Sequence, residues 1–186
     1  FNTFNMGIGS DRVQNILWRL RNGALDGYTT KYLTLMIGIN NGHQKCIDHN
    51  EHADRPEDVA ESIRLILREI VAKHPESKIL LMPILPYSFD SKYFEAAEVT
   101  AMSEAVNDYI LQFVDNKRVF WIDLRGKYLN QDSTPNKVCY REGGHGGYDA
   151  VGLCLHPEFF TYSDFWKPAI TNAMHKYLSG DVSVSH

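Results

Sequence analysis

Four short apolar runs divide the chain, and longer stretches with helical periodicity lie between and after them. The runs cover residues 2–6, 32–37, 79–84 and 119–123, and turn residues bound each of them. Because they are apolar on both faces, they predict strands of a parallel sheet that is covered on both sides.

The stretches between and after the runs predict amphipathic helices. Each predicted helix carries a stripe of apolar residues along one face. The first helix is expected to end at Gly23, because glycine commonly ends helices, and the second to begin at Pro56, because proline is favoured in the first helical turn. The alternation of strands and helices implies right-handed crossovers and a three-layer α/β/α domain. The four stripes are Val13, Ile16, Leu17 and Leu20; Val59, Ile63, Leu67, Ile70 and Val71; Met102, Val106, Tyr109, Ile110 and Phe113; and Ile170, Ala173, Met174 and Tyr177.

Composition limits the classes of protein to consider. The chain has 186 residues, of which 44% are hydrophobic and 23% charged, so it can bury one core and predicts a single domain over 1–186. A net charge of −4 gives no electrostatic reason to bind nucleic acid or an anionic membrane. No apolar run approaches the roughly 20 residues of a membrane span. Three cysteines leave the redox compartment undecided.

The loop "GIGSD" follows the first run, at the strand end where α/β proteins place their ligands. Its small residues would let a backbone amide approach a ligand at a helix start, where the dipole favours negative charge. The alternative is a tight turn in which Ser10 or Asp11 caps the helix. A dinucleotide fingerprint is not completed, because Arg12 occupies its third glycine position.

Two further loops carry candidate chemistry. In "GINNG" the Asn40 amide could donate an N–H to a developing oxyanion, or the segment could be an ordinary Asn-Gly turn. His156 precedes Pro157 and the last helix, and it could be a base facing the same cleft or a hydrogen-bonded structural histidine.

Taken together, "NMGIGSDRVQNILWRLRNGALDG", "LTLMIGINN" and a late "LHP" resemble the SGNH/GDSL hydrolases. The nearest branch is that of platelet-activating-factor-acetylhydrolase-like enzymes and carbohydrate acetylesterases. This resemblance implies a flavodoxin-like parallel sheet, with strand order 2-1-3-4-5. It also implies a nucleophilic serine in a G-D-S block, an oxyanion hole and a histidine base.

Carried over by position, the resemblance makes Ser10 the donor of a backbone N–H to the oxyanion hole. Asn40 becomes the side-chain donor, and His156 becomes the base. No cofactor is implied. An alternative is that Ser10 is itself the nucleophile, which would require the oxyanion hole to be rebuilt elsewhere.

No G-D-S block occurs in the 186 residues. The run at 2–6 matches the second strand of the family, so the first strand and its serine are expected upstream of Phe1 or from a partner segment. That strand would lie between 2–6 and 32–37, which should therefore not pair with each other. On this interpretation the domain is N-terminally incomplete.

The acid of the triad also departs from the family pattern, because Leu153 stands where that pattern has Asp, three residues before His156. Asp149 is the nearest acid upstream and is the candidate for this role. A backbone carbonyl or a Ser-His dyad are the alternatives.

The segment "HQKCIDHNEH" offers His43, Cys46, His49 and His52, residue types that bind zinc. Their spacing matches no closed structural site, so a polar insertion is favoured and no metal is predicted.

The predicted function is that of a serine esterase that removes small acyl groups, most plausibly acetyl, from carbohydrate esters. The main alternative is a non-catalytic binding module that keeps the fold. A nucleotide or flavin binder is less favoured, because the chain has no phosphate loop.

Overall fold

The computed structural model describes residues 3–42, 54–87, 95–136 and 162–178. The four predicted helices are confirmed, and three of the four predicted strands are confirmed in shorter form. In chain order the elements are α1 (Val13–Arg21), β1 (Tyr32–Leu35), the one-turn α2 (Ile39–Gly42), α3 (Pro56–Lys73), β2 (Lys78–Leu81), α4 (Ala96–Leu111), β3 (Val119–Trp121), a 3-10 turn (Arg125–Tyr128), a π-helical turn (Tyr162–Trp166) and α5 (Lys167–Leu178).

The three strands form a parallel sheet in the order β1-β2-β3. Leu33 lies opposite Ile79, and Ile79 lies opposite Val119. The helices α3 and α4 connect successive strands, as parallel neighbours require. The loops after β1 and β2 therefore leave the same edge of the sheet.

Side chains alternate between the two faces of the sheet, and each face has its own core. Ile79 and Leu81 of β2 face the core that α1, α3 and α4 build, whereas Leu80 faces a second core against α5. On that second side, the indole Nε1 of Trp166 donates a hydrogen bond to the hydroxyl of Tyr128 at 2.6 Å. The predicted three-layer α/β/α architecture is confirmed.

No helix in the described ranges combines the length and the apolar character that a bilayer crossing requires.

The predicted strand at residues 2–6 is wrong for the part that the structure describes, residues 3–6. These residues belong to no strand, and the Phe4 ring is exposed and stacks on Tyr28 with 5.2 Å between centroids. A strand exists only when a neighbour pairs with it, and an apolar pattern does not supply one. Within the described ranges, β1 pairs with β2 alone and not with residues 3–6. The expected first strand between them stays a prediction.

The chain beyond β2 is held by α4 rather than by a neighbouring strand. The buried side chain of Asn107 makes two hydrogen bonds to Ile84: its Oδ1 accepts from the backbone N at 2.8 Å, and its Nδ2 donates to the backbone O at 2.9 Å. The Thr100 hydroxyl accepts from the backbone N of Tyr87 at 3.0 Å. Residues 84–87 are thereby fixed after the strand has ended.

We expect Asn107→Ala to lower the free energy of unfolding by about 2–4 kcal/mol, because two buried backbone groups lose their partners. Urea denaturation followed by circular dichroism would measure the loss.

Ser103→Ala, one turn earlier on α4, is the matched control. Ser103 is also buried, and its hydroxyl has no hydrogen-bond partner among the described residues, so this variant should be as stable as the wild type or slightly more stable. An Asn107→Ala protein that unfolds at the wild-type urea concentration would contradict the role of the paired hydrogen bonds.

Candidate functional site

A cleft of about 160 Å³ opens at the carboxyl edge of the sheet, between the loops that follow β1 and β2 and the loop before α1. Ser10 and Asn40, two of the predicted site residues, both line it. Most of the other lining residues are apolar. The full lining is Ile8, Gly9, Ser10, Asp11, Met36, Ile37, Ile39, Asn40, Ile84, Leu85, Pro86 and Tyr87.

The loop before α1 turns sharply at Ser10, which has φ of +65°. This left-handed conformation is one that glycine adopts readily and that other residues adopt at a cost. The N–H of Asp11 donates to the carbonyl of Ile8 at 3.3 Å and closes the turn. The left-handed conformation is thus confined to Ser10 in this loop, and a Cβ at Gly9 would meet no atom within 4 Å. The predicted reason for the small residues, close approach of a backbone amide to a ligand, stays a prediction.

The capping alternative for this loop is wrong, because the residue that caps α1 is Arg12, not Ser10 or Asp11. The side chain of Asn15 accepts the N–H of Arg12 at 2.9 Å. The carboxylate of Asp11 is engaged elsewhere, in an ion pair with Arg19.

Asn40 lies in the first turn of α2, immediately after β1. Gly38 permits this turn: its φ is +124°, and a Cβ at this position would lie 2.7 Å from Cδ1 of Ile84. The Asn40 amide Nδ2 donates to the backbone carbonyl of Asp11 at 2.8 Å. The structure therefore brings the Asn40 side chain beside the Ser10 turn, 30 residues away in sequence.

His156 and Asp149 lie outside the described residues, as does Leu153. Their proposed roles as base and triad acid stay predictions. The same holds for the cluster of His43, Cys46, His49 and His52. In the described ranges, no three histidine, cysteine, aspartate or glutamate side chains come close enough together to hold a metal ion.

Two residues that support this site were not predicted. Arg19 of α1 anchors both ends of the loop that contains Ser10. Its Nη1 donates to the carbonyl of Met6 at 2.9 Å, and its Nη2 pairs with the carboxylate of Asp11. Asn41 is fully buried and accepts the N–H of Val13 at 3.2 Å. Arg19 lies in the stretch "NMGIGSDRVQNILWRLRNGALDG" and Asn41 lies in "GINNG". Neither stretch indicates which distant residue the side chain binds.

The carboxylate of Asp123 follows β3 at the same edge of the sheet. Burial tends to raise its pKa, but hydrogen bonds from Arg125 outweigh that effect, and the pKa of Asp123 is lowered overall. Arg125 also pairs with Glu104 of α4. Asp123 is therefore ionised at neutral pH and belongs to an ion-pair cluster that joins the end of β3 to α4.

Comparison with known proteins identifies the family. The profile of the GDSL-like lipase/acylhydrolase family matches residues 1–158. Human platelet-activating factor acetylhydrolase IB subunit alpha2 is 34% identical over 82 residues, which are 44% of this chain and 31% of that protein. The chain spans less than two thirds of the length of this relative.

Solved structures agree on the fold. A GDSL-like lipase from Bacteroides thetaiotaomicron superposes with a TM-score of 0.68 at 15% identity, covering 92% of this chain and 74% of that one. The acetyl xylan esterase AlAXEase superposes with a TM-score of 0.55 at 15% identity, covering 90% of this chain and 78% of that one. Because the profile match extends over residues 1–158, most of the sequence, the chain belongs to the GDSL-like lipase/acylhydrolase family.

Proposed function

We propose that the protein is a serine esterase that removes small acyl groups, with acetyl the first candidate, from carbohydrate esters. The observation that carries this proposal is that the two predicted oxyanion donors lie side by side at one cleft. The Asn40 amide is hydrogen-bonded to Asp11, the residue that follows Ser10, and both Ser10 and Asn40 line one cleft.

In the proposed mechanism, a serine hydroxyl attacks the ester carbonyl and gives its proton to His156. The carbonyl oxygen becomes negatively charged and accepts hydrogen bonds from the Ser10 N–H and from Asn40. When the intermediate collapses, His156 returns the proton to the departing alcohol and leaves an acyl-enzyme, which water hydrolyses by the same steps. Each oxyanion donor contributes about 2.7–4 kcal/mol of transition-state stabilisation.

Asn40 has the hydrogen-bonding capacity for this role. Its amide nitrogen carries two N–H groups, and Asp11 accepts one of them, which orients the group. The second N–H is the proposed oxyanion donor. An amide that is already held in place does not need to reorganise as charge develops.

The serine is proposed to come from polypeptide that these 186 residues do not contain, because the sequence has no G-D-S block. The triad acid is proposed to be Asp149, with a backbone carbonyl or a Ser-His dyad as the alternatives, because Leu153 cannot orient an imidazole.

A small acyl group is supported by the walls of the cleft. They are formed mainly by isoleucine, leucine, methionine and proline side chains around a volume of about 160 Å³, which suits a short apolar group. The matched relative is named an acetylhydrolase, and a protein of the same fold is named an acetyl xylan esterase. The proposal that the alcohol part of the ester is a carbohydrate is based on the resemblance of the sequence to carbohydrate acetylesterases.

The second candidate function is a binding module that keeps the fold without catalysis. The missing G-D-S block and Leu153 favour it. The hydrogen bond from Asn40 to the Ser10 turn favours the esterase, because a binding module has no need to hold these two predicted donors beside one cleft.

Hydrolysis of p-nitrophenyl acetate by the complete gene product and by its His156→Ala variant distinguishes the two functions. We expect the variant to lose about 10³-fold or more in kcat, because the nucleophile then has no base. Equal rates in the two proteins would exclude the esterase assignment.

Asn40→Ala should lower kcat by about 10²–10³-fold and change KM little, because its N–H acts on charge that develops in the transition state. Steady-state kinetics on p-nitrophenyl acetate would measure both constants. Asn22→Ala is the matched control, since the Asn22 Nδ2 also donates to one backbone carbonyl at 2.8 Å, that of Trp18, away from the cleft. A wild-type kcat in Asn40→Ala would remove this residue from the oxyanion hole.

Ser10→Ala should keep its activity, because the proposed functional group is the backbone N–H. Ser10→Gly should keep its activity too and gain up to about 1 kcal/mol in stability, because glycine adopts the positive φ without strain. Ser133→Gly, at φ +66° in an exposed turn, is the control for the backbone effect. A folded but inactive Ser10→Ala protein would instead make Ser10 the nucleophile.

A further inference from the structure

Asn41 is a buried polar side chain that the proposed mechanism does not use. Its side chain is fully enclosed, and it makes three hydrogen bonds. The Oδ1 accepts the backbone N–H of Val13 at 3.2 Å, and the Nδ2 donates to Asp54 at 2.7 Å and to Gln14 at 3.0 Å. A buried amide with so many partners has a single orientation.

Its partners on the two sides fix which orientation that is. The backbone N–H of Val13 can only donate, so the Asn41 oxygen faces Val13, and the amide nitrogen faces the carboxylate oxygen of Asp54 that accepts from it. Asp54 is itself held on two sides: its backbone N donates to the carbonyl of Asn41 at 3.3 Å, and its carboxylate accepts from Gln14 at 3.2 Å. Asn41, Gln14 and Asp54 thus form a closed ring of hydrogen bonds.

This ring joins the two donors of the proposed oxyanion hole. Val13 is the first residue of α1, three positions after Ser10, and its N–H has no partner within the helix. Asn40 precedes Asn41 and binds the carbonyl of Asp11. Two consecutive asparagines of α2 therefore hold the backbone at residues 11 and 13, on the segment that carries the Ser10 N–H.

We propose that Asn41, oriented by Asp54, is a positioning residue that sets the geometry between the Ser10 N–H and the Asn40 amide. The inference rests on the proposed esterase function and deepens it. Asn41 touches no substrate and acts only through the two donors. Its loss should lower kcat more than it raises KM, because misplaced donors weaken binding of the transition state more than binding of the ester.

The first test is Asn41→Asp in the complete gene product. The new carboxylate still accepts from Val13 but faces Asp54 across a 2.7 Å contact that has lost its hydrogen. We expect kcat for p-nitrophenyl acetate to fall about 10–100-fold at neutral pH, with KM within about threefold of wild type.

The second test is the exchange variant Asn41→Asp/Asp54→Asn, which keeps the net charge and the residue types. Every hydrogen bond in the ring can form again with its direction reversed: the amide at 54 donates to the carboxylate at 41, and Gln14 rotates its amide to match. We expect kcat to return to within about threefold of wild type. Asn116→Asp, in an exposed turn at the opposite edge of the sheet, is the control for the added charge.

The outcomes separate the two proposals. A wild-type protein that does not hydrolyse the ester overturns the proposed function itself. An active wild type with unchanged kcat in Asn41→Asp overturns the positioning role. The positioning role is also overturned if circular dichroism shows that the exchange variant is folded but its kcat stays low. The lost hydrogen bond between residues 41 and 54 would then not explain the low kcat of Asn41→Asp.

Discussion

Buried backbone groups need hydrogen-bond partners, and this constraint shapes the cleft because the strand ladder has ended where the cleft begins. Asparagine side chains supply the missing partners. Asn107 pairs with Ile84 beyond the end of β2, and Asn41 accepts the N–H of Val13 at the start of α1. An amide carries both a donor and an acceptor, so it can replace a neighbouring strand. The walls of the cleft are therefore held by helices rather than by the sheet.

The same edge holds backbone conformations that cost free energy. Ser10 and Gly38 both have positive φ, and Ser10 adopts it without the freedom of glycine. Such residues persist only where the surroundings enforce them. At Ser10 the enforcement is visible, because the next residue, Asp11, is bound both by Arg19 and by Asn40. Strain and anchoring therefore occur together at this turn.

The sequence predicted the helices because a buried helix face imposes a period of 3.6 residues that depends only on neighbours along the chain. It failed around Phe4, because a strand also needs a pairing partner that no local pattern specifies. That Ser10 and Asn40 lie at one cleft could be predicted, since small residues mark a sharp turn beside each of them, although no strand precedes Ser10 in the described residues. Asn41 could not be assigned its role, because its partner Val13 lies 28 residues away and nothing in the spacing indicates that contact.

The edge of β1 that faces away from β2 has a physical consequence for the behaviour of the protein in concentrated solution. Within the described ranges no strand covers this side of Tyr32–Leu35, and its four residues include neither a charge nor a proline. Peptide groups on such an edge can recruit extended segments from other molecules, and this is a recognised origin of aggregation. A segment that pairs with this edge of β1 would therefore also keep the protein monodisperse, because it would occupy the peptide groups that other molecules could bind.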